Sequence, residues 1–262
     1  MFPKLISIGD FFLPSYGFLL SAAILIALVL AHKLARRAGL DPESILNLAI
    51  YCALSGIAGA KLMMFLTDAS YYLANPGEIF SLTTLRAGGI FYGGLLAALG
   101  VAIYYMRRQR LPLLRTADVL APALAFGHAL GRVGCFAAGC CWGTECSRPW
   151  AVTFRNEEAH RLFGTPLNRP LHPTQLYEMA AELINFAILW HFFRKPHRDG
   201  AVVGLYLLLY SAERFVIEFF RDHEQANPFG GPLSAAQWTS VGLVTLVAVW
   251  TWRVRTRAVR IA

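Results

Sequence analysis

A chain of 262 residues with 56% hydrophobic and only 15% charged residues, and a mean hydropathy of +0.47, is too apolar for an ordinary soluble domain and falls among polytopic membrane proteins. A net charge of +8 and a pI near 9.5 would raise nucleic acid as a partner in a soluble protein, but here the basic residues lie in short loops between apolar runs, and no basic face with interleaved aromatics argues for it. Five cysteines are too few for a disulfide scaffold.

Crossing roughly 30 Å of hydrocarbon takes an apolar helix of about 20 residues. Such segments can be placed seven times, over residues 15–35, 45–66, 88–106, 116–138, 173–193, 200–220 and 234–252. The first has no basic stretch before it beyond Lys4 and is followed by Lys33, Arg36 and Arg37, so it reads as a retained helix rather than a cleaved signal. Arg107, Arg108, Arg110 and Arg115 follow the third segment, Arg194, Lys195 and Arg198 the fifth, and Arg253, Arg255, Arg257 and Arg260 the last. These fourteen cations fall on one side, which the positive-inside rule makes cytoplasmic. The other side holds seven, spread over longer segments: Lys4, Arg86, Arg148, Arg155, Arg161, Arg169 and Arg221.

The expectation is therefore an all-α, seven-helix transmembrane bundle forming one domain over 1–262, with the N-terminus outside, the C-terminus cytoplasmic and one sizeable external segment at 139–172. No low-complexity tract or internal repeat interrupts it. Pro76, Gly77, Pro170, Pro173 and Gly230 to Pro232 mark loop edges on the outer face.

Three cations lie inside the spans: Lys61, Arg132 and Arg214. A charge in hydrocarbon is expensive, so such residues usually face the bundle interior and mark a site. At 1.5 Å of rise per residue all three come to roughly 21 to 24 Å from the cytoplasmic edge, in the outer-leaflet third. Tyr16, Tyr92 and His172 stand at the outer ends of their spans, and Glu218 is one turn beyond Arg214. Together they suggest a cationic cavity facing the outer leaflet and suited to a phosphate-bearing head group, because guanidinium binds phosphate bidentately. Plainer readings exist. Lys61 can snorkel along its stem, Arg214 and Glu218 can be a simple i, i+4 ion pair, Tyr16 and Tyr92 can belong to an interfacial belt, and His172 can serve a helix start. Arg132, between Gly131 and Gly134, is the hardest to dismiss.

Cys135, Cys140, Cys141 and Cys146 crowd into twelve residues, while Cys52 stands alone in the second span. They lack a paired C-x-x-C spacing, and with His128 they need a contorted backbone to enclose an ion, so no metal is expected. A disulfide from Cys146 to Cys140 or Cys141 is one alternative; Cys135 suits a small buried slot.

In order and spacing, several stretches resemble the prolipoprotein diacylglyceryl transferase family of the bacterial inner membrane. They are Ser15-Tyr16-Gly17, Gly88-Gly89-Ile90-Phe91-Tyr92-Gly93-Gly94-Leu95, Ala117-Asp118-Val119-Leu120-Ala121-Pro122, Gly131-Arg132-Val133-Gly134 with Trp142-Gly143, His172-Pro173-Thr174-Gln175-Leu176-Tyr177-Glu178, and Glu213-Arg214 through Glu218 to Arg221. The resemblance implies a multi-pass, cofactor-free enzyme. Its reaction moves the diacylglyceryl group of phosphatidylglycerol onto the lipobox cysteine thiol of a preprolipoprotein signal peptide and releases glycerol 1-phosphate. By matching positions, the family's essential residues fall on Tyr16, Arg132, Gly143, Arg214 and Glu218. The chain departs from the family pattern at Cys135 and Cys140, where asparagine and glutamate are common, and at Tyr92, where some members have histidine.

On this reading Arg132 and Arg214 neutralise the phosphate as its ester bond breaks, Glu218 holds Arg214, and Lys61, Tyr16 and Gly143 help bind substrate. Activation of the thiol is left between Tyr92 and His172. The rivals are a paralogous transferase with another acceptor and a non-catalytic protein that binds or transports an anionic lipid; paired inverted repeats with broken helices would favour the latter, and none is seen.

Overall fold

A computed structural model of the chain describes residues 2–8, 11–222 and 228–261. The side chains of Arg255, Arg257 and Arg260, counted above for orientation, lie outside the described set. Each of the seven predicted segments is a helix: α1 (Ser15–Arg37), α2 (Pro42–Thr67), α5 (Phe91–Arg108), α6 (Leu113–Ala138), α8 (Thr174–Phe193), α9 (Ala201–Ile217) and α10 (Ala235–Ile261). The short helices α3 (Ala69–Ala74), α4 (Leu82–Arg86) and α7 (Glu157–Phe163) occupy connections. By length and composition α1, α2 and α6 are apolar enough to cross a membrane. Side chains such as Phe18, Leu25, Ile26, Val29, Leu54, Ile57 and Leu62 are exposed along α1 and α2, as suits helices that face lipid.

The structure adds two small antiparallel sheets to the expected helices. β1 (Lys4–Ile8) pairs with β2 (Phe11–Pro14), and β3 (Val152–Thr153) with β4 (Pro170–Leu171). Period-20 hydropathy cannot reveal strands this short, since each is far below the length that leaves a pattern.

Two compact units emerge, Ala31–Thr116 and a larger one made of Met1–Leu30 with Ala117–Ala262. In the smaller, α2 and α5 pack backbone to backbone. A Cβ on Gly94 would come within 2.7 Å of the Gly56 carbonyl, and one on Gly59 would strike Ala97 and Gly93, so the close approach depends on these glycines. Asp41 starts α2: its Oδ2 accepts from the Ser44 amide at 2.9 Å, and Pro42 occupies the first helical turn.

In the larger unit, buried Asp118 of α6 accepts from the amides of Gly200 (2.6 Å) and Val203 (2.7 Å), satisfying the first donors of α9. Gly200 itself has φ 91°, which glycine adopts without strain. α9 is thereby anchored on α6 and packs against both α8 and α10. These helices carry the site.

Candidate active site

On α6, His128, Arg132 and Cys135 recur at i, i+4 and i+7 and share one face; on α8, Gln175, Glu178, Glu182 and Asn185, at i, i+3, i+7 and i+10, share another. The two faces meet at Glu178, whose side chain is only 2% exposed. Its Oε2 lies 2.5 Å from Arg132 Nη2, and its Oε1 accepts from Arg214 Nη1 at 2.9 Å and from Arg221 Nη1 at 3.1 Å. One carboxylate thus gathers three guanidinium groups from α6, α9 and the turn after α9.

Glu218, in a single 3-10 turn that continues α9, holds the other side. Its Oε2 is 2.6 Å from Arg214 Nη2 and 3.7 Å from Arg221 Nε, while its Oε1 accepts from Ser234 Oγ at 2.8 Å. The pairing expected between Arg214 and Glu218 is present, within a larger network. Arg132 Nε also donates to His128 Nε2 at 3.1 Å, and the opposite ring nitrogen of His128 lies 2.7 Å from Glu182 Oε1. Since Nε2 accepts from Arg132, the proton of the neutral ring is on Nδ1 and points at Glu182. Each of the three arginine side chains is 17% exposed. They are held by carboxylates, yet partly exposed.

The anchors of this cluster were missed by counting only the cations inside spans. Glu178 and Glu182 stand at i, i+4 within the fifth predicted span, and a carboxylate buried in an apolar helix needs a cation just as a buried arginine needs an anion. A sixth span ending at 220 leaves Arg221 on the outer surface, whereas its guanidinium joins this cluster.

The other candidate residues divide by location. Tyr16, at the start of α1, packs its ring where a Cβ on Gly134 would meet it at 3.5 Å, and Arg132 and Cys135 are within electrostatic reach of its hydroxyl. Gly143 is buried in a strand-like stretch between two others: its amide donates to the His172 carbonyl at 2.9 Å, the Thr144 amide to the Phe220 carbonyl at 2.9 Å, and Gly143 is bridged to Arg221. A Cβ at 143 would collide with Phe220, His172 and Thr174. That glycine lets residue 221 be delivered to the arginine cluster.

His172 Nδ1 is 3.0 Å from the Tyr177 hydroxyl, which accepts from Trp150 Nε1 at 2.8 Å. Indole only donates, so the tyrosine oxygen accepts from Trp150 and either donates to His172 Nδ1 or accepts from it, according to the imidazole tautomer. Lys61 and Tyr92 belong to the smaller unit. There Lys61 Nζ donates to the carbonyls of Thr84 and Ala87, closing the C-terminal end of α4, and Tyr92 is 52% exposed with its ring against Phe91.

The five cysteines are free thiols, so the disulfide considered for Cys146 does not form; Cys135 is buried as expected. The chain turns back sharply after α6. Gly139 (φ 86°) and Cys141 (φ 61°) are left-handed, and the amides of Gly139 and Cys140 both donate to the Cys135 carbonyl. The sulfurs of Cys135, Cys140 and Cys141 come within 4.8 Å of one another. At Cys141 the neighbouring sulfhydryls of Cys135 and Cys140, and then the charges of Arg221 and Arg132, pull the thiol pKa below its ordinary value.

The sequence profile of the prolipoprotein diacylglyceryl transferase family matches residues 3–253. The chain belongs to that family. Among curated relatives, the phosphatidylglycerol–prolipoprotein diacylglyceryl transferase of Clostridium tetani is 32% identical over 243 residues, 92% of this chain and 93% of the relative. Those of Bordetella parapertussis (33%, covering 92% and 91%) and Vibrio cholerae (34%, covering 96% and 92%) are similarly close. Within the diacylglyceryl transferase family frame, the cluster around Glu178 is built almost wholly from the quoted motifs: Arg132 from the glycine-flanked one, Glu178 from the end of the His172 motif, and Arg214, Glu218 and Arg221 from the last.

Proposed function

We propose that this chain transfers the diacylglyceryl group of phosphatidylglycerol to the lipobox cysteine thiol of preprolipoproteins and releases glycerol 1-phosphate, the first step of lipoprotein maturation. The observation that carries the reading is the set of three arginines, 132, 214 and 221, held on two carboxylates. A phosphodiester is an anion that gains charge on its bridging oxygen as the carbon–oxygen bond breaks, and preoriented guanidinium groups stabilise that charge without reorganising. Glu178 and Glu218 act as positioning residues, holding the partly exposed guanidinium groups where a phosphate can reach them. Tyr16 lines the approach from the start of α1, and Gly143 shapes the backbone that delivers Arg221.

In this reading seven helices span the bacterial inner membrane, with the N-terminus outside, the C-terminus cytoplasmic and the arginines towards the outer leaflet. Helix lengths, exposed apolar faces and the fourteen loop cations on one side support it. Expression in a bacterium depleted of its own transferase tests the proposal: lipid-modified lipoprotein should return with the wild-type chain. Failure of a well-inserted chain to restore it would favour a different acceptor.

A further inference from the structure

We propose that Cys135, Cys140 and Cys141 form a tris-thiolate site for one zinc ion whose fourth coordination position takes the acceptor thiol. Tetrahedral zinc with bonds of about 2.3 Å to sulfur places its sulfurs roughly 3.8 Å apart. The three sulfurs already lie within 4.8 Å of one another, so closure on an ion needs only side-chain adjustment. Among the described residues no fourth histidine, cysteine or carboxylate joins them, and three protein ligands with one open position is the composition of a reactive rather than a structural zinc site.

The backbone is arranged for convergence and held there. Cys141 adopts a left-handed conformation that a non-glycine residue occupies at some cost, its carbonyl accepts from Thr174 Oγ1 at 2.8 Å, and the Cys140 carbonyl accepts from Gln175 Nε2 at 2.6 Å. Both tethers come from the first turn of α8, so the outer arm of the site is bolted to the helix that carries Glu178. Arg132 Nη1 also lies 3.9 Å from Cys135 Sγ, so the trio adjoins a guanidinium.

The position gives the ion a task, which rests on the transferase reading above. Cys135 is one turn from Arg132 on the same face of α6, so a thiol on the ion would lie beside a phosphate on the arginines. An acceptor thiol at the fourth position would be held there as the thiolate, its proton passing to solvent. Its sulfur then supplies the electron pair of the new carbon–sulfur bond while the carbon–oxygen bond to phosphate breaks, that pair leaving on the phosphate oxygen. Neither His172 nor Tyr92 is then needed as a base.

Cobalt(II) titration of detergent-solubilised, metal-stripped protein tests the site. One equivalent per chain should bind, with thiolate-to-cobalt charge-transfer bands and the d–d bands of tetrahedral cobalt, and a lipobox peptide with a free thiol should add to the charge-transfer intensity. Cys135→Ser and Cys141→Ser should lose this signal, while Cys52→Ser and Cys146→Ser should keep it. Substoichiometric binding, binding that survives in both trio variants, a disulfide within the trio by mass spectrometry of freshly isolated protein, or no response to the peptide would overturn the proposal. Diacylglyceryl transfer at the native rate by the metal-stripped enzyme would overturn it too, and would leave the transferase reading standing. Absence of transfer by the untreated enzyme sinks that reading instead, and does not alter the cobalt result.

Discussion

Glu178 illustrates how one residue decides what its neighbours can do. Buried and shared among Arg132, Arg214 and Arg221, it converts three mutually repelling cations into a fixed array. Removing one partner of a buried ion pair typically costs about 3–5 kcal/mol, because the charges left behind are neither solvated nor paired. Glu178→Ala should accordingly lower the melting temperature in detergent far more than Arg132→Ala, which leaves Glu178 two guanidinium partners. A melt unchanged by Glu178→Ala would mean the arginines are not organised on it. Arg132→Lys should not rescue function, since an ammonium cannot contact His128 and Glu178 at once as the planar guanidinium does. Much of this centre was legible beforehand: Arg132, Arg214 and Glu218 were found from charge placed in apolar helices. What hid Glu178, Glu182 and Arg221 was counting one sign of charge and trusting a span boundary, although charge balance in a low-dielectric interior demands both signs together.

The elements work by delivering backbone to the right place. Gly143 lets a strand-like stretch pass between the chain at His172 and that at Phe220, where a methyl group has no room. Overpacking a site with backbone on both sides typically costs about 1–3 kcal/mol, so Gly143→Ala should reduce both thermal stability and transfer, whereas Gly134→Ala, with contacts no closer than 3.4 Å, should retain most of both. Loss of transfer in a fully stable Gly143→Ala protein would instead argue for direct substrate contact there. At the start of α2, the hydroxyl and amide of Ser44 hold the Asp41 carboxyl below its usual pKa. The cap therefore contributes at and above the ordinary carboxylate value of about 3.9 and fades as pH falls through the lower folded value. The difference in melting temperature between wild type and Asp41→Ala should be steady from neutral pH down to about 4 and shrink below it. Helices of this kind were readable from hydropathy. The turn after α6 was not: two left-handed residues made neighbours of three cysteines whose spacing argued against a metal, because spacing rules presume ordinary turns.

The helices expose apolar side chains, and within the larger unit the buried charged residues pair with one another, as a lipid surrounding requires. Reporter fusions after Arg37, Arg108 and Arg198 should all report the cytoplasm and fusions within 144–169 the exterior; the reverse would contradict the orientation read from loop cations. Order and spacing of the motifs carried the family, since no single one is distinctive and together they cover the length of the chain. In the mechanism proposed above, the arginine array stabilises phosphate as the leaving group while a cysteine thiol is alkylated. The most direct test of that mechanism is purified protein in vesicles containing phosphatidylglycerol, incubated with a lipobox peptide and followed by mass spectrometry. A diacylglyceryl adduct on the cysteine with release of glycerol phosphate is expected, and a rate reduced by at least about 10²-fold in correctly inserted Arg132→Ala and Arg214→Ala. An adduct formed by either variant at near the wild-type rate would contradict it.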